Sequence, residues 1–245
     1  MIFSGRDLPI GIRRSNIYMG DRVFWTIAMI VAAYVIGSIP FGAIIGRLHG
    51  VNLRKVGSGN VGATNVGRAL GRKWGILCFV LDTLKGFLPV FLAGMYFFKT
   101  ATDASGLSLL NQISWLAVAF GAIIGHVFSF WLKFRGGKGV ATSLGALLGF
   151  YPYFTWAGLI ALGIWIIVVL IWRYVSLGSI VSAAAFPVLL LVVWLGMGWS
   201  VGQLWPMLVF SIIIAALVIV RHRSNLARLL AGQENKIGKG ISKSS

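Results

Sequence analysis

The sequence predicts an all-α integral membrane protein of about seven transmembrane helices, with its N-terminus outside and its C-terminus in the cytoplasm. Three observations predict it. The 245-residue chain is 58% hydrophobic and only 11% charged, with a mean hydropathy of +0.89, which no ordinary soluble domain matches. Apolar runs long enough to cross about 30 Å of hydrocarbon, which takes roughly 20 residues, recur along it. Sixteen of the 22 Lys and Arg residues fall in loops that alternate crossings would place on one face. Such a bias marks the cytoplasmic side.

The run at 24–46 is the first span. It is too long for a signal-peptide core and continues into patterned sequence, so it is retained. Residues 1–23 before it are polar, with Arg6, Arg13, Arg14 and Arg22 diluted by Asp7 and Asp21. They read as an extension to a single membrane domain over 24–245. Runs at 74–98 and 113–132 follow. The fourth, 140–149, is short for a crossing and begins at a glycine loop, which fits a half-helix or tilted element lining a polar cavity. Runs at 153–172, 175–195 and 204–220 complete seven, an odd number that puts the termini on opposite faces. Cys78 lies in an apolar run and, as the one cysteine, forms no intrachain disulfide.

A net charge of +17 could suit nucleic acid, but no nucleic-acid-binding motif accompanies it. The charge is instead concentrated around three polar segments. The first, Gly57 to Arg68, is rich in glycine and hydrogen-bonding residues; its backbone can turn N–H groups toward a ligand while Ser58, Asn60, Thr64, Asn65 and Arg68 add side-chain donors. The second, Phe134 to Ser143, runs straight into the short fourth helix. A helix start offers free N–H groups and the positive end of its dipole, and Lys138 beside paired glycines favours a dianion there. The spacing is not that of a nucleotide-binding P-loop. The third segment, Arg221-His222-Arg223-Ser224-Asn225 with Arg228, Gly232, Glu234 and Lys236, follows the last span. Like charge on both sides of His222 disfavours its protonated form, leaving a neutral ring able to accept a proton.

Polar residues within spans are costly and tend to face the bundle interior. Ser38 with Pro40, Asp82 with Lys85, and His126 each lie about eight residues from the cytoplasmic end of a span, about 12 Å deep at 1.5 Å per residue. They would form one polar layer, in which Asp82 and Lys85, three apart, share a helix face and can pair. A carrier of organic phosphates could use the same loops, but it would carry internal repeats and a site at the midplane.

These motifs make the sequence resemble the bacterial membrane glycerol-3-phosphate acyltransferases that use acyl phosphate, the PlsY family. The resemblance runs over nearly the whole chain after the extension and rests on Gly37-Ser38-Ile39-Pro40-Phe41-Gly42, the Gly57 to Arg68 loop, Asp82 with Lys85-Gly86, Gly125-His126 leading to Gly136-Gly137-Lys138-Gly139-Val140-Ala141-Thr142, and His222-Arg223 with Asn225 and Gly232. Ser129 stands where the family carries proline, and residues 1–23 have no counterpart. The resemblance implies transfer of a fatty acyl group from acyl phosphate to the 1-hydroxyl of glycerol 3-phosphate, giving lysophosphatidic acid and phosphate, at the cytoplasmic face of a bacterial inner membrane.

On that reading His222, Lys138, Arg68, Ser58 and Asn225 are the catalytic set. Gly136, Gly137, Gly139, Val140 and Ala141 offer backbone N–H groups to the acyl phosphate, and Asn60, Thr64, Asn65, His126 and Ser143 add substrate contacts. Either His222 or the leaving phosphate accepts the hydroxyl proton. No cofactor or metal is expected, since the five carboxylates, Asp7, Asp21, Asp82, Asp103 and Glu234, offer no cage for magnesium. No His-x-x-x-x-Asp dyad follows any histidine, which is a sign against the other large class of glycerolipid acyltransferases. The partners are the two substrates and membrane lipid, with the enzyme that makes the acyl phosphate as a candidate.

Overall fold

A computed structural model describes residues 19–99 and 108–237. Among these the chain is all-helical: α1 (Met19–Ser38), α2 (Phe41–Leu48), α3 (Ala63–Leu70), α4 (Arg72–Lys99), α5 (Leu109–Val127), α6 (Val140–Gly149), α7 (Thr155–Trp172), α8 (Val175–Gly196), α9 (Val201–Arg221) and α10 (Arg223–Leu230). Helix α1 already includes 19–23, which the sequence reading gave to the extension. The rest of the extension, with Asp103, Lys239 and Lys243, lies outside the described residues.

Among the described residues, six helical stretches are long and apolar enough to cross a membrane: Gly20–Leu48, Arg72–Phe98, Leu109–Leu132, Thr155–Trp172, Val175–Gly196 and Val201–Arg221. The expected seventh, α6, has 10 residues, about 15 Å of helix, or half the hydrocarbon thickness. Its continuation, Phe150 to Phe154, is turn structure in which both phenylalanines are wholly buried. The two phenylalanines anchor this turn in the core, while Tyr151 between them is exposed.

Helix α5 forms the centre of the bundle, with Val118, Ala119, Ala122, Ile123 and Val127 inaccessible. Apolar side chains on the outer helices, such as Leu170, Ile171 and Val188, point outward, as they must where the surrounding solvent is hydrocarbon. Helices α4 and α6 approach so closely that a Cβ on Gly86 would lie 2.1 Å from the Thr142 carbonyl oxygen, and one on Gly145 1.9 Å from that of Thr83. Small residues at such crossings replace the missing hydrophobic drive with close packing.

The break between α1 and α2 falls at Ile39-Pro40. Proline lacks an N–H and disfavours helix at the preceding residue, so carbonyls are freed inside the membrane region. Lys85 Nζ donates to the Ile39 oxygen at 2.7 Å and Ser129 Oγ to that of Ser38 at 2.6 Å. Lys85 is itself paired with Asp82 at 2.7 Å. A small cavity lined by Ser38, Pro40, Asp82, Lys85 and His126 gathers the predicted polar layer in one place. Ser129 thus supplies one of the bonds that hold this break.

Candidate active site

The first loop is held by one side chain. Asn65 Nδ2 faces the carbonyl oxygens of Leu53 (3.0 Å), Val56 (3.1 Å) and Asn60 (2.8 Å), and its Oδ1 accepts from the Ser58 N–H at 2.9 Å. The loop curls around this amide with Gly57 and Gly59 at φ +58° and +67°, angles that other residues reach only at a cost. Asn60 Oδ1 accepts from the Gly62 N–H at 2.8 Å, setting up the start of α3. Asn65, expected to contact substrate directly, holds the loop with its amide while also bordering the cavity beyond, to which it presents Ser58, Asn60 and Thr64.

The second loop is held by its own backbone. Gly136 N–H donates to Val127 O at 3.0 Å and Gly137 N–H to His126 O at 3.1 Å. These two groups, expected to hold phosphate, are consumed in folding the loop back onto the end of α5. Their glycines are required by proximity: a Cβ on Gly136 would lie 2.0 Å from His126 O, and one on Gly137 2.3 Å from His126 Nε2. The donors that remain are those at the start of α6, where Gly139, at φ +86°, is the N-cap and the first N–H groups have no partner within the helix.

The third segment closes the site. His222 is buried at the junction of α9 and α10, and its Nδ1 lies 2.8 Å from Val218 O. A carbonyl only accepts, so Nδ1 carries the hydrogen and the lone pair of the neutral ring sits on Nε2. Burial, and then the charge on Lys138, push the His222 pKa down to about 4, against the Val218 hydrogen bond and Glu234, which raise it. The direction is the one expected, but burial leads and Arg221 acts last. Lys138 donates to Asn225 Oδ1, and Asn225 Nδ2 to Glu234 Oε1 at 2.8 Å. Burial brings Lys138 down to about 8; Glu234 opposes this, while Arg228, Arg68 and Arg221 add to it. Arg68, also lowered by burial, donates to the Asn235 carbonyl at 3.1 Å.

All three segments line one cavity of about 740 Å³, its open mouth included: Ser58, Asn60, Thr64, Asn65 and Arg68 from the first, Lys138, Gly139, Val140 and Ala141 from the second, His222 and Asn225 from the third, with His126 at the wall. Gly136, Gly137 and Ser143 do not line it. Glu234, Ser176, Ser179 and Trp165 do, and sequence reasoning gave none of them a role. The Glu234 carboxylate receives Asn225, Ser176 Oγ at 3.1 Å and Arg228 Nε at 2.8 Å, and so anchors the segment. The available signal was that it is the one acidic residue after position 103 and lies in a basic run.

A family model described as glycerol-3-phosphate acyltransferase matches residues 27–232. The chain belongs to this family. Among curated relatives, the glycerol-3-phosphate acyltransferase of Trichlorobacter lovleyi is 43% identical over 218 residues, 89% of this chain and 98% of the relative. That of Aquifex aeolicus is 41% identical over 85% of this chain and 97% of the relative. Two crystal structures of PlsY (YgiH), an integral membrane glycerol 3-phosphate acyltransferase, superpose with this fold. Its glycerol 3-phosphate form has a TM-score of 0.74 at 40% identity, covering 87% of this chain and 96% of that one. The lysophosphatidic acid form has a TM-score of 0.72 at 39% identity. The acyltransferase is thus an integral, multi-pass membrane enzyme.

Beside the polar cavity of the acyltransferase runs an apolar groove of about 630 Å³, sharing Phe79, Val140, Trp165 and Ser179 with it. Ser143 lines this groove, its hydroxyl buried and without a hydrogen-bond partner among the described residues.

Proposed function

We propose that this acyltransferase moves a fatty acyl group from acyl phosphate to the 1-hydroxyl of glycerol 3-phosphate, releasing lysophosphatidic acid and inorganic phosphate. One observation carries the reading: three separate cationic segments converge on a single cavity that opens into an apolar groove, which suits two phosphorylated substrates of which one has an alkyl tail. The PlsY structures, determined in glycerol 3-phosphate and lysophosphatidic acid forms, support it.

Lys138 and the N–H groups of Gly139, Val140 and Ala141 hold the acyl phosphate, with its chain in the groove and Ser143 at the groove wall. Arg68, Ser58, Asn60 and Thr64 hold the glycerol phosphate, with Asn225 and His126 completing the wall. An acyl phosphate is already activated, so the hydroxyl attacks its carbonyl directly. The new ester C–O bond forms, the carbonyl carbon's bond to the phosphate oxygen breaks, and the hydroxyl proton passes to His222 Nε2. Low basicity suits His222 to release that proton again to the departing phosphate. Preorganised donors at the helix start stabilise the developing oxyanion, an effect worth about 2.7–4 kcal/mol per donor in a measured protease.

The polar face is cytoplasmic on this reading, since the site shares it with the basic loops, and the membrane is a bacterial inner membrane. Val140 of α6 and Trp165 of α7 both border the cavity, so α6 and α7 form a hairpin returning to one face. Seven elements, one of them short, then leave the N-terminus outside and the C-terminus inside, within a single domain over 24–245. Labelling of single cysteines introduced at positions 55 and 200 in sealed vesicles checks the orientation.

The activity is tested with purified protein in detergent. Phosphate release that requires both acyl phosphate and glycerol 3-phosphate is expected. Release without glycerol 3-phosphate, or turnover with a thioester donor alone, overturns the assignment.

A further inference from the structure

The apolar groove has a regular construction. From α6 it takes Val140, Ser143, Leu144 and Leu147; from α7, Trp165, Leu162, Ala161 and Gly158; from α8, Ser179, Ser182, Ala183 and Phe186. Each set is the same i, i+3, i+4, i+7 stripe, two helical turns on one face. Each also begins at a residue shared with the polar cavity, namely Val140, Trp165 and Ser179. The groove therefore descends seven residues along three helices, a depth of about 10 Å at 1.5 Å per residue.

Its lower end is closed by aromatic rings. Phe186 packs edge-on against Phe154 at 5.8 Å between centroids. Phe154 in turn contacts Phe150 at 4.8 Å and Trp194 at 6.4 Å. Phe150, Phe154 and Trp194 have no exposed surface and Phe186 only 4%. Interiors packed in this way do not yield to an extra methylene without strain.

We propose that the groove is a ruler for the acyl chain, stopped by Phe186, that engages about the first eight carbons and is blind to those beyond. The inference rests on the groove holding the acyl chain of the donor. An extended chain of single bonds near 1.5 Å at tetrahedral angles advances about 1.25 Å per carbon, so a 10 Å descent takes about eight. A longer chain turns out of the groove into lipid, where its remaining methylenes find surroundings as apolar as the protein. Gly158 lies at the floor, and a Cβ there would meet only ordinary contacts, Leu147 Cβ at 3.8 Å and Leu148 Cδ2 at 3.9 Å. Ala161 lies one turn higher. These two positions set the length at which filling the groove begins to obstruct the chain.

The test uses the full-length enzyme in detergent with acyl phosphates of 4 to 16 carbons, reading kcat/KM for each length in wild type, Gly158→Val and Ala161→Leu. The ratio of variant to wild type at each length cancels partitioning of the donor into detergent. Gly158→Val is expected to match wild type up to about six carbons and to fall about tenfold from eight onward. Ala161→Leu, about 4.5 Å higher, is expected to show the same fall starting three or four carbons earlier. In wild type the gain per added carbon should vanish beyond about eight, a result that stands whether or not either variant folds. A gain that continues evenly to 16 carbons, or variant ratios that are equal at all lengths, overturns the ruler. Absence of turnover with every acyl phosphate instead removes the donor assignment, and the ruler with it.

Discussion

In the loop from Gly57 to Arg68 a side chain holds the backbone and leaves side chains to face the cavity, whereas in the loop from Phe134 to Ala141 the backbone holds itself against α5 and leaves a cation and N–H groups to face it. Both segments are glycine-rich, yet their glycines answer different demands. Gly57 and Gly59 adopt positive φ so that the chain can wrap Asn65. Gly136 and Gly137 instead let the loop touch His126 and Val127 where any Cβ would collide. A glycine count alone thus says that a loop approaches something, without saying whether that something is substrate or protein.

If the second loop acts through its cation and helix start, the largest effect belongs to Lys138. Lys138→Ala removes a charged donor from a largely buried site and leaves Asn225 Oδ1 without its partner. A loss of about 10²–10³ in kcat, the scale for one preorganised donor, is expected, with glycerol 3-phosphate KM changed far less. A loss confined to glycerol 3-phosphate KM would move Lys138 to the other substrate and reverse the division between the loops.

Six of the seven expected spans and the three cationic segments were legible because each is a local pattern: roughly 20 apolar residues, or a run of donors at a span's end; the seventh, at 140–149, is too short to be told from a half-helix by pattern alone. Which N–H groups are free was not, since that depends on α5 lying where Gly136 and Gly137 can bond its last carbonyls. The roles of Glu234 and Ser176 were hidden for the same reason, as they meet only when α8 and the segment after α10 converge. The groove illustrates the limit well. Its stripes at 140–147, 158–165 and 179–186 are visible as spacings, but every apolar helix contains such spacings, and only packing shows which ones face each other.

A smaller effect tests the charge state on which the second loop depends. Lys138 has its pKa brought down to about 8 and works protonated, so kcat/KM, which reports the free enzyme, should fall tenfold per unit as pH rises above about 8. His222 works neutral, and its pKa near 4 keeps it so throughout the neutral range. Protonation of a substrate phosphate, with a pKa of about 6, therefore governs the acid side until His222 titrates below it. Lys138→Arg should abolish the alkaline fall, because guanidinium stays charged. Persistence of that fall in the variant would assign it to another group.

The smallest effect separates holding a loop from holding a ligand. Asn65→Ala leaves the carbonyls of Leu53, Val56 and Asn60 without their shared donor and the Ser58 N–H without its acceptor. Buried polar groups left unpaired cost about 1–3 kcal/mol, so the ligand-free enzyme should unfold several degrees lower, with glycerol 3-phosphate KM raised severalfold as Ser58 and Asn60 drift. Asn65→Asp sharpens the point. It keeps the acceptor for Ser58 but turns a carboxylate toward the three carbonyls, so it should destabilise the ligand-free enzyme more than alanine does. An Asn65→Ala enzyme that unfolds at the wild-type temperature without ligand, and differs only in KM, would return Asn65 to the substrate and make the two loops alike.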